Sequence, residues 1–100
     1  MFYCKLVRDK IPEIIGERAL VDVLTDEEFD IFLERKLDEE VLEYHRSRDA
    51  EELADILEVI VALAETKGLS FEDLMALRNK KAEEKGAFLQ KMFLIAVREN

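Results

Sequence analysis

The stretch KLDEEVLEYHRSRDAEELADILEVI, from Lys36 to Ile60, decides the fold. It reads as helix, turn, helix, with the break near Ser47 and Arg48. Acidic residues flank the turn at positions where each helix should present an apolar face inward. At about 100° per residue a helix can be unwrapped by arithmetic. In the first helix Phe29, Leu33, Leu37, Val41 and Tyr44 form one stripe. Glu40 falls within that stripe, Glu43 just off its edge, and Glu39 on the solvated side. In the second helix Ile56, Val59 and Leu63 form a row headed by Glu52, with Asp55 beside it. Residues equidistant from the turn of an antiparallel hairpin lie at one height. Glu43 pairs in this way with Glu52, and Glu40 with Asp55, so four carboxylates are expected in one layer.

Helix-start signals extend the pattern outward. Thr25 with Glu28, Asp49 with Glu52 and Ser70 with Asp73 each have the capping-box spacing. Gly68 and Gly86 follow the last periodic residues of the second and third segments, where glycine suits a helix end. These signals predict helices over about 26–46, 49–67 and 71–85. Asp9 is positioned to cap a short helix through Ile11, Pro12, Glu13, Ile14 and Ile15, with Pro tolerated in the first turn. Val21 to Leu24 reads as a short strand or an extended linker, and Phe88 to Val97 as a strand or extended arm rather than helix. The expected fold is therefore mainly all-α, a helical bundle with short extended segments at both ends.

One hundred residues make one domain, 1–100, and 49% hydrophobic with 39% charged residues fits a folded helical chain. The longest apolar runs, VIVALA and MFLIAV, have six residues, against about 20 for a membrane span. In MFYCKLVRDK the charges follow the apolar start, the reverse of a signal peptide. A single cysteine, Cys4, makes no internal disulfide, so a reducing cytoplasm is expected and Cys4 reads as a semi-buried apolar filler. His45 reads as a surface residue of the turn. A net charge of −9 argues against a nucleic-acid polymer as partner. It leaves phosphorylated small molecules open, because a bound divalent cation reverses the local sign.

Burying an unpaired carboxylate costs several kcal/mol, and crowded like charges push one another's pKa upward. Glu52 as a mere capping partner of Asp49, and Glu40 paired with a core-edge Arg, are the plain alternatives. A divalent cation resolves all four together, and an all-oxygen cluster suits Mg2+ or Mn2+. Zinc is disfavoured, since only Cys4 and His45 offer N or S ligands. A di-iron bundle needs Glu-x-x-His pairs that the chain lacks. In the third helix Leu74 and Leu77 define an inward row that Lys81 and Lys85 continue, with Arg78 alongside. Such cations can meet a phosphate chain, or can simply complement the helix dipole and snorkel outward. Lys5, Arg8 and Lys10 form a second basic cluster.

KLVRDKIPEII at the start, EEVLE at Glu39 to Glu43 and EELAD at Glu51 to Asp55 resemble the MazG-like branch of the all-α NTP pyrophosphohydrolases. Phosphoribosyl-ATP pyrophosphohydrolases belong to the same superfamily. Its E-E-x-x-E and E-x-x-D signature falls on Glu39, Glu40, Glu43, Glu52 and Asp55, and its later K-x-x-x-[KR]-G-x-F pattern on Lys81, Lys85, Gly86 and Phe88. Lys85 stands where arginine is common and Ala87 where glycine is common. The resemblance spans nearly the whole chain. It implies that Glu40, Glu43, Glu52 and Asp55 hold Mg2+, with Mn2+ as a substitute, and that Glu39 assists or positions water. It implies a nucleoside triphosphate cleaved between α- and β-phosphorus, with Lys81, Lys85, Lys5, Arg8 and Lys10 against the phosphates. A phosphoribosyl-nucleotide substrate is the enzymatic alternative, and a non-catalytic helical module with a structural cation is the other. Ile31 and Leu42 lie opposite the main stripe of the first long helix, and Ala54 and Val61 behind the second's core row. Helices apolar on two sides are usually sandwiched, so a homodimer or homotetramer is expected.

Overall fold

The computed structural model describes residues 4–99, and the fold is all-α. The short helix α1 spans Ile11–Ile15, and three longer helices follow: α2 at Asp26–Ser47, α3 at Ala50–Thr66 and α4 at Phe71–Lys85. Among the described residues there is no strand; the 21–24 segment and the 88–97 tail are neither helix nor strand, and the tail bends at Phe88 and Gln90, with Lys91 at φ 58°. None of the helices among these residues is long and apolar enough to cross a membrane.

Two of the three predicted capping boxes close. The Thr25 hydroxyl accepts from the Glu28 amide at 3.2 Å, and the Thr25 amide donates to Glu28 Oε1 at 3.0 Å. Ser70 and Asp73 repeat the exchange at α4, at 3.1 Å each way. The third does not close, because Asp49 makes no side-chain cap. Its amide donates instead to the Ser47 hydroxyl at 3.2 Å, which leaves the Glu52 carboxylate free of any capping duty. Asp9 is likewise no cap: α1 begins at Lys10, without a side-chain bond and with Pro12 in its first turn.

Helix ends follow glycine and one arginine. After α3 the Leu69 amide donates to the Ala64 carbonyl and the Gly68 amide to Glu65, the paired bonds of a Schellman turn, with Gly68 at φ +79°. Between α2 and α3 the left-handed position falls to Arg48, at φ 61° and ψ 16°. An L-residue there costs about 1–2 kcal/mol. The side chain works against that cost by folding back onto α2: Nε donates to the His45 carbonyl at 3.2 Å, and the guanidinium lies 5.9 Å from the Tyr44 ring centre.

The α2–α3 hairpin holds the core. Leu33, Val59 and Ala64 are buried, and Phe29, Leu37, Val41, Tyr44, Ile56 and Leu63 are half-buried around them. Both predicted rows therefore face each other. Helix α4 packs more lightly, on α3. Its half-buried residues are Leu74, Met75 and Ala82, while Leu77, Arg78, Lys81 and Lys85 are exposed. Of the predicted Leu74–Leu77–Lys81–Lys85 row only Leu74 packs inward, and Met75 and Ala82 share its flank in place of the other three. With so little around it, the chain is elongated, 66 × 32 × 22 Å with a radius of gyration of 18.1 Å. A compact domain of this length has about 13 Å.

The caps give a direct check. In urea unfolding, Thr25→Ala and Ser70→Ala should each lose about 1 kcal/mol. Asp49→Ala should lose clearly less, since no side-chain cap exists there to remove.

Candidate metal centre

The hairpin turn sets the height at which its acidic residues meet. Glu40 extends from the inward stripe of α2, Glu52 from the first turn of α3 and Asp55 from the next. One carboxylate oxygen of each lies within 4.8 Å of the other two. All three residues are half-buried, and the Glu40 side chain retains only 13% exposure. Glu43, the fourth expected member, is exposed and lies outside this trio. Its charge still acts on the trio's most perturbed member. Burial pushes the Glu52 carboxyl above the ordinary carboxylate range, and the charges of Asp55, Glu43, Glu40 and Asp49 push it the same way. The N-terminus of α3 should favour a carboxylate. Lost solvent and crowded charge outweigh it.

Cations from the first 36 residues answer part of this negative charge. Arg8 donates to Asp55 Oδ1 at 2.7 Å, across the outer side of the cluster. Lys36 Nζ stands 3.4 Å from both Glu40 and Glu39, and its side chain is only 19% exposed. Lys5 Nζ approaches Glu39 at 3.8 Å. Glu39 is therefore not on a freely solvated face, because the N-terminal segment passes over that flank of α2 and half-covers it. Exposed pairs such as Arg8–Asp55 contribute about 0–1 kcal/mol, so they offset the crowding without locking it.

Of the remaining basic candidates, Lys10, Lys81 and Lys85 are exposed and make no ion pair among the described residues. Cys4 is exposed at the mouth of a shallow cleft between the N-terminal segment and α2, not a semi-buried filler. The same cleft is lined by Lys5, Phe32, Arg35, Lys36 and Glu39, with the Arg35 guanidinium 5.0 Å from the Phe32 ring centre. Lys36 and Arg35 were not among the expected site residues. A signal for Lys36 was present, since it stands three residues before Glu39 and four before Glu40, the spacings of facing side chains on a helix.

As a donor set, three clustered carboxylates on two helices suit a hard divalent cation such as Mg2+ or Mn2+. Among the described residues no histidine or cysteine joins them. Comparison with profiles of known protein families, with curated proteins and with solved structures gave no match.

Because the folded state raises the Glu52 carboxyl, ionising it opposes folding. The stability associated with Glu52 is fully present below the ordinary carboxylate pKa and is lost as pH rises through the raised one. With chelator present, Glu52→Gln should therefore melt increasingly above the parent chain as pH climbs from about 4 to 7, the range that brackets a raised carboxyl. A melting difference that stays flat across this range would show that Glu52 is not strained by its surroundings.

Proposed function

We propose that this chain is a Mg2+-dependent nucleoside triphosphate pyrophosphohydrolase, giving a nucleoside monophosphate and pyrophosphate. The observation that carries the reading is the convergence of Glu40, Glu52 and Asp55 from two helices, with oxygens within 4.8 Å of one another. The ordered resemblance to MazG-like enzymes, from the N-terminal segment through both acidic motifs to Lys81–Phe88, supports it. On this reading Glu40, Glu52 and Asp55 hold the ion, Glu43 joins from the exposed edge, and Mn2+ substitutes for Mg2+. A divalent ion bound there supplies charge that polarises phosphoryl oxygens and acidifies water.

The chain's own groups do the rest. Glu39, tethered by Lys36 and Lys5, orients the attacking water and receives its proton. Lys5 and Arg8 are already at the cluster and turn to the phosphate oxygens when nucleotide arrives, with Lys10 following on the same segment. Lys81 and Lys85 complete the phosphate contacts in a homodimer or homotetramer, since within one chain they are solvent-facing. The substrate class fits a cytoplasmic house-cleaning role, in which unwanted nucleotides are removed.

One observation favours a second reading. Arg8 and Lys36 already occupy two sides of the trio, and the α4 lysines stand apart from it, as in a non-catalytic helical module with a structural cation.

Pyrophosphate release across a panel of nucleoside triphosphates and phosphoribosyl-ATP, with Mg2+ or Mn2+, separates the two. Glu40→Gln and Glu52→Gln should each lower kcat/KM by about 100-fold or more, beyond the loss typical of outer-shell partners. The exposed Glu58→Gln should change little. If nothing in the panel is cleaved while Mg2+ still raises the melting temperature, the structural module is correct.

A further inference from the structure

This chain exposes far more surface than a compact monomer of its mass. A compact monomer of 11.7 kDa exposes about 5,900 Å². This chain exposes 9644 Å², an excess of roughly 3,800 Å² over that compact value. An obligate dimer buries about 2,000–5,000 Å² in total, half of it from each subunit. The excess is more than one such interface takes from one chain.

Much of that surface is apolar and contiguous. From Phe88 to Val97 every large apolar side chain is at least 77% exposed: Phe88, Leu89, Met92, Phe93, Leu94, Ile95 and Val97. In an extended chain Phe93, Ile95 and Val97 point to one side and Met92, Leu94 and Ala96 to the other. Both sides are apolar, so laying the arm on one surface leaves the other side in water. Runs of this kind belong in strands covered on two faces.

The helices offer one continuous apolar row still open. Along α3 the residues Leu53, Leu57, Ile60 and Ala64 follow a single flank. Ala64, at the end tethered to α4, is buried, whereas Leu53 and Leu57 are 50% and 44% exposed. The outer face of α2 is a poorer dock, because Glu34, Arg35 and Asp38 separate Ile31 from Leu42. One chain thus has one open flank and an arm needing two. In a pair of chains each arm can lay one side on the other chain's flank and turn its second side to the other arm.

We propose that the C-terminal arm, Phe88 to Val97, is an assembly element that lies between two copies of this chain, against Leu53 and Leu57 of the other copy. The arm turns at Gln90 and at Lys91, whose φ is 58°. The six residues from Met92 to Val97 reach about 20 Å when extended. That is close to the roughly 17 Å from Leu53 to Ala64 along α3. The chemistry of the partner follows from the arm itself: an apolar helix flank, matched in length, on an identical chain. This goes beyond a general homo-oligomer by naming the segment and the surface, and it does not depend on the catalytic reading.

Sedimentation of the full chain over a concentration series tests it. The parent should be a dimer or larger. Phe93→Glu with Ile95→Glu, and separately Leu94→Glu on the opposite side, should each weaken association by about 100-fold, as expected for central apolar anchors. Helical circular dichroism at high concentration should persist. In a Cys4→Ser background, chains carrying Phe93→Cys or Leu94→Cys, mixed with chains carrying Leu57→Cys, should form a covalent dimer of unlike chains on oxidation. A parent that stays monomeric at about 100 μM, well above an ordinary dimer's dissociation range, overturns the proposal. So do arm variants that associate as tightly as the parent, or an internal disulfide in a monomer carrying both cysteines.

Discussion

Everything distinctive in this fold hangs on the tight turn at Arg48 and Asp49. The turn fixes the register of α2 against α3, and register decides which side chains share a height. One residue more or less would rotate α3 by about 100° relative to its neighbour and carry Glu52 away from Glu40. The left-handed Arg48 is tolerated because its guanidinium returns to the His45 carbonyl and the Tyr44 ring. The same turn gives the Asp49 amide to Ser47, and so releases Glu52 from the capping pattern its spacing suggests. Local backbone chemistry thus determines which carboxylates are structural and which face one another.

Much of this was legible in the sequence, for identifiable reasons. The α2 and α3 rows have a clean 3.6-residue period, and each lies on a helix that meets the other through a short turn. Leu33 and Val59 were therefore placed correctly on their core rows. Helix starts at Thr25 and Ser70 were equally readable, because a hydroxyl and a carboxylate three residues apart make a local, two-way exchange. Glu40, Glu52 and Asp55 followed from face and height together. What failed depended on packing that periodicity does not encode. Helix α4 has few apolar residues, so its row was ambiguous, and it settled on Leu74, Met75 and Ala82 instead of the lysine side. Glu39 was assigned to solvent because the path of residues 4–10 over α2 cannot be read from α2 alone. Glu43, at the stripe's edge, stands beside the closest trio and acts on Glu52 through its charge.

The acidic layer and the apolar faces divide the molecule's work between its two ends. Near the turn, charge replaces core, and Lys36 within α2 and Arg8 from the N-terminal segment answer part of that charge. Farther from it, Val59 on α3 faces the stripe of α2 and carries the hydrophobic part of the seam, while Ala64 is buried on the other flank, at the end tethered to α4. Removing the charge from the first end would make a more stable hairpin and a duller one. The crowded carboxylates sit there at an energetic disadvantage, seen in the raised Glu52 carboxyl.

The smallness of that core reaches further than the site. Only three of the described residues are buried, so one chain by itself covers little of its own apolar surface. If copies cover that surface for one another, as proposed above, dilution acts as a denaturant, because mass action governs how many copies are covered at any moment. The rate at which the chain is synthesised then sets the folded fraction as well as the number of molecules. Uncovered copies are also the ones a protease finds first.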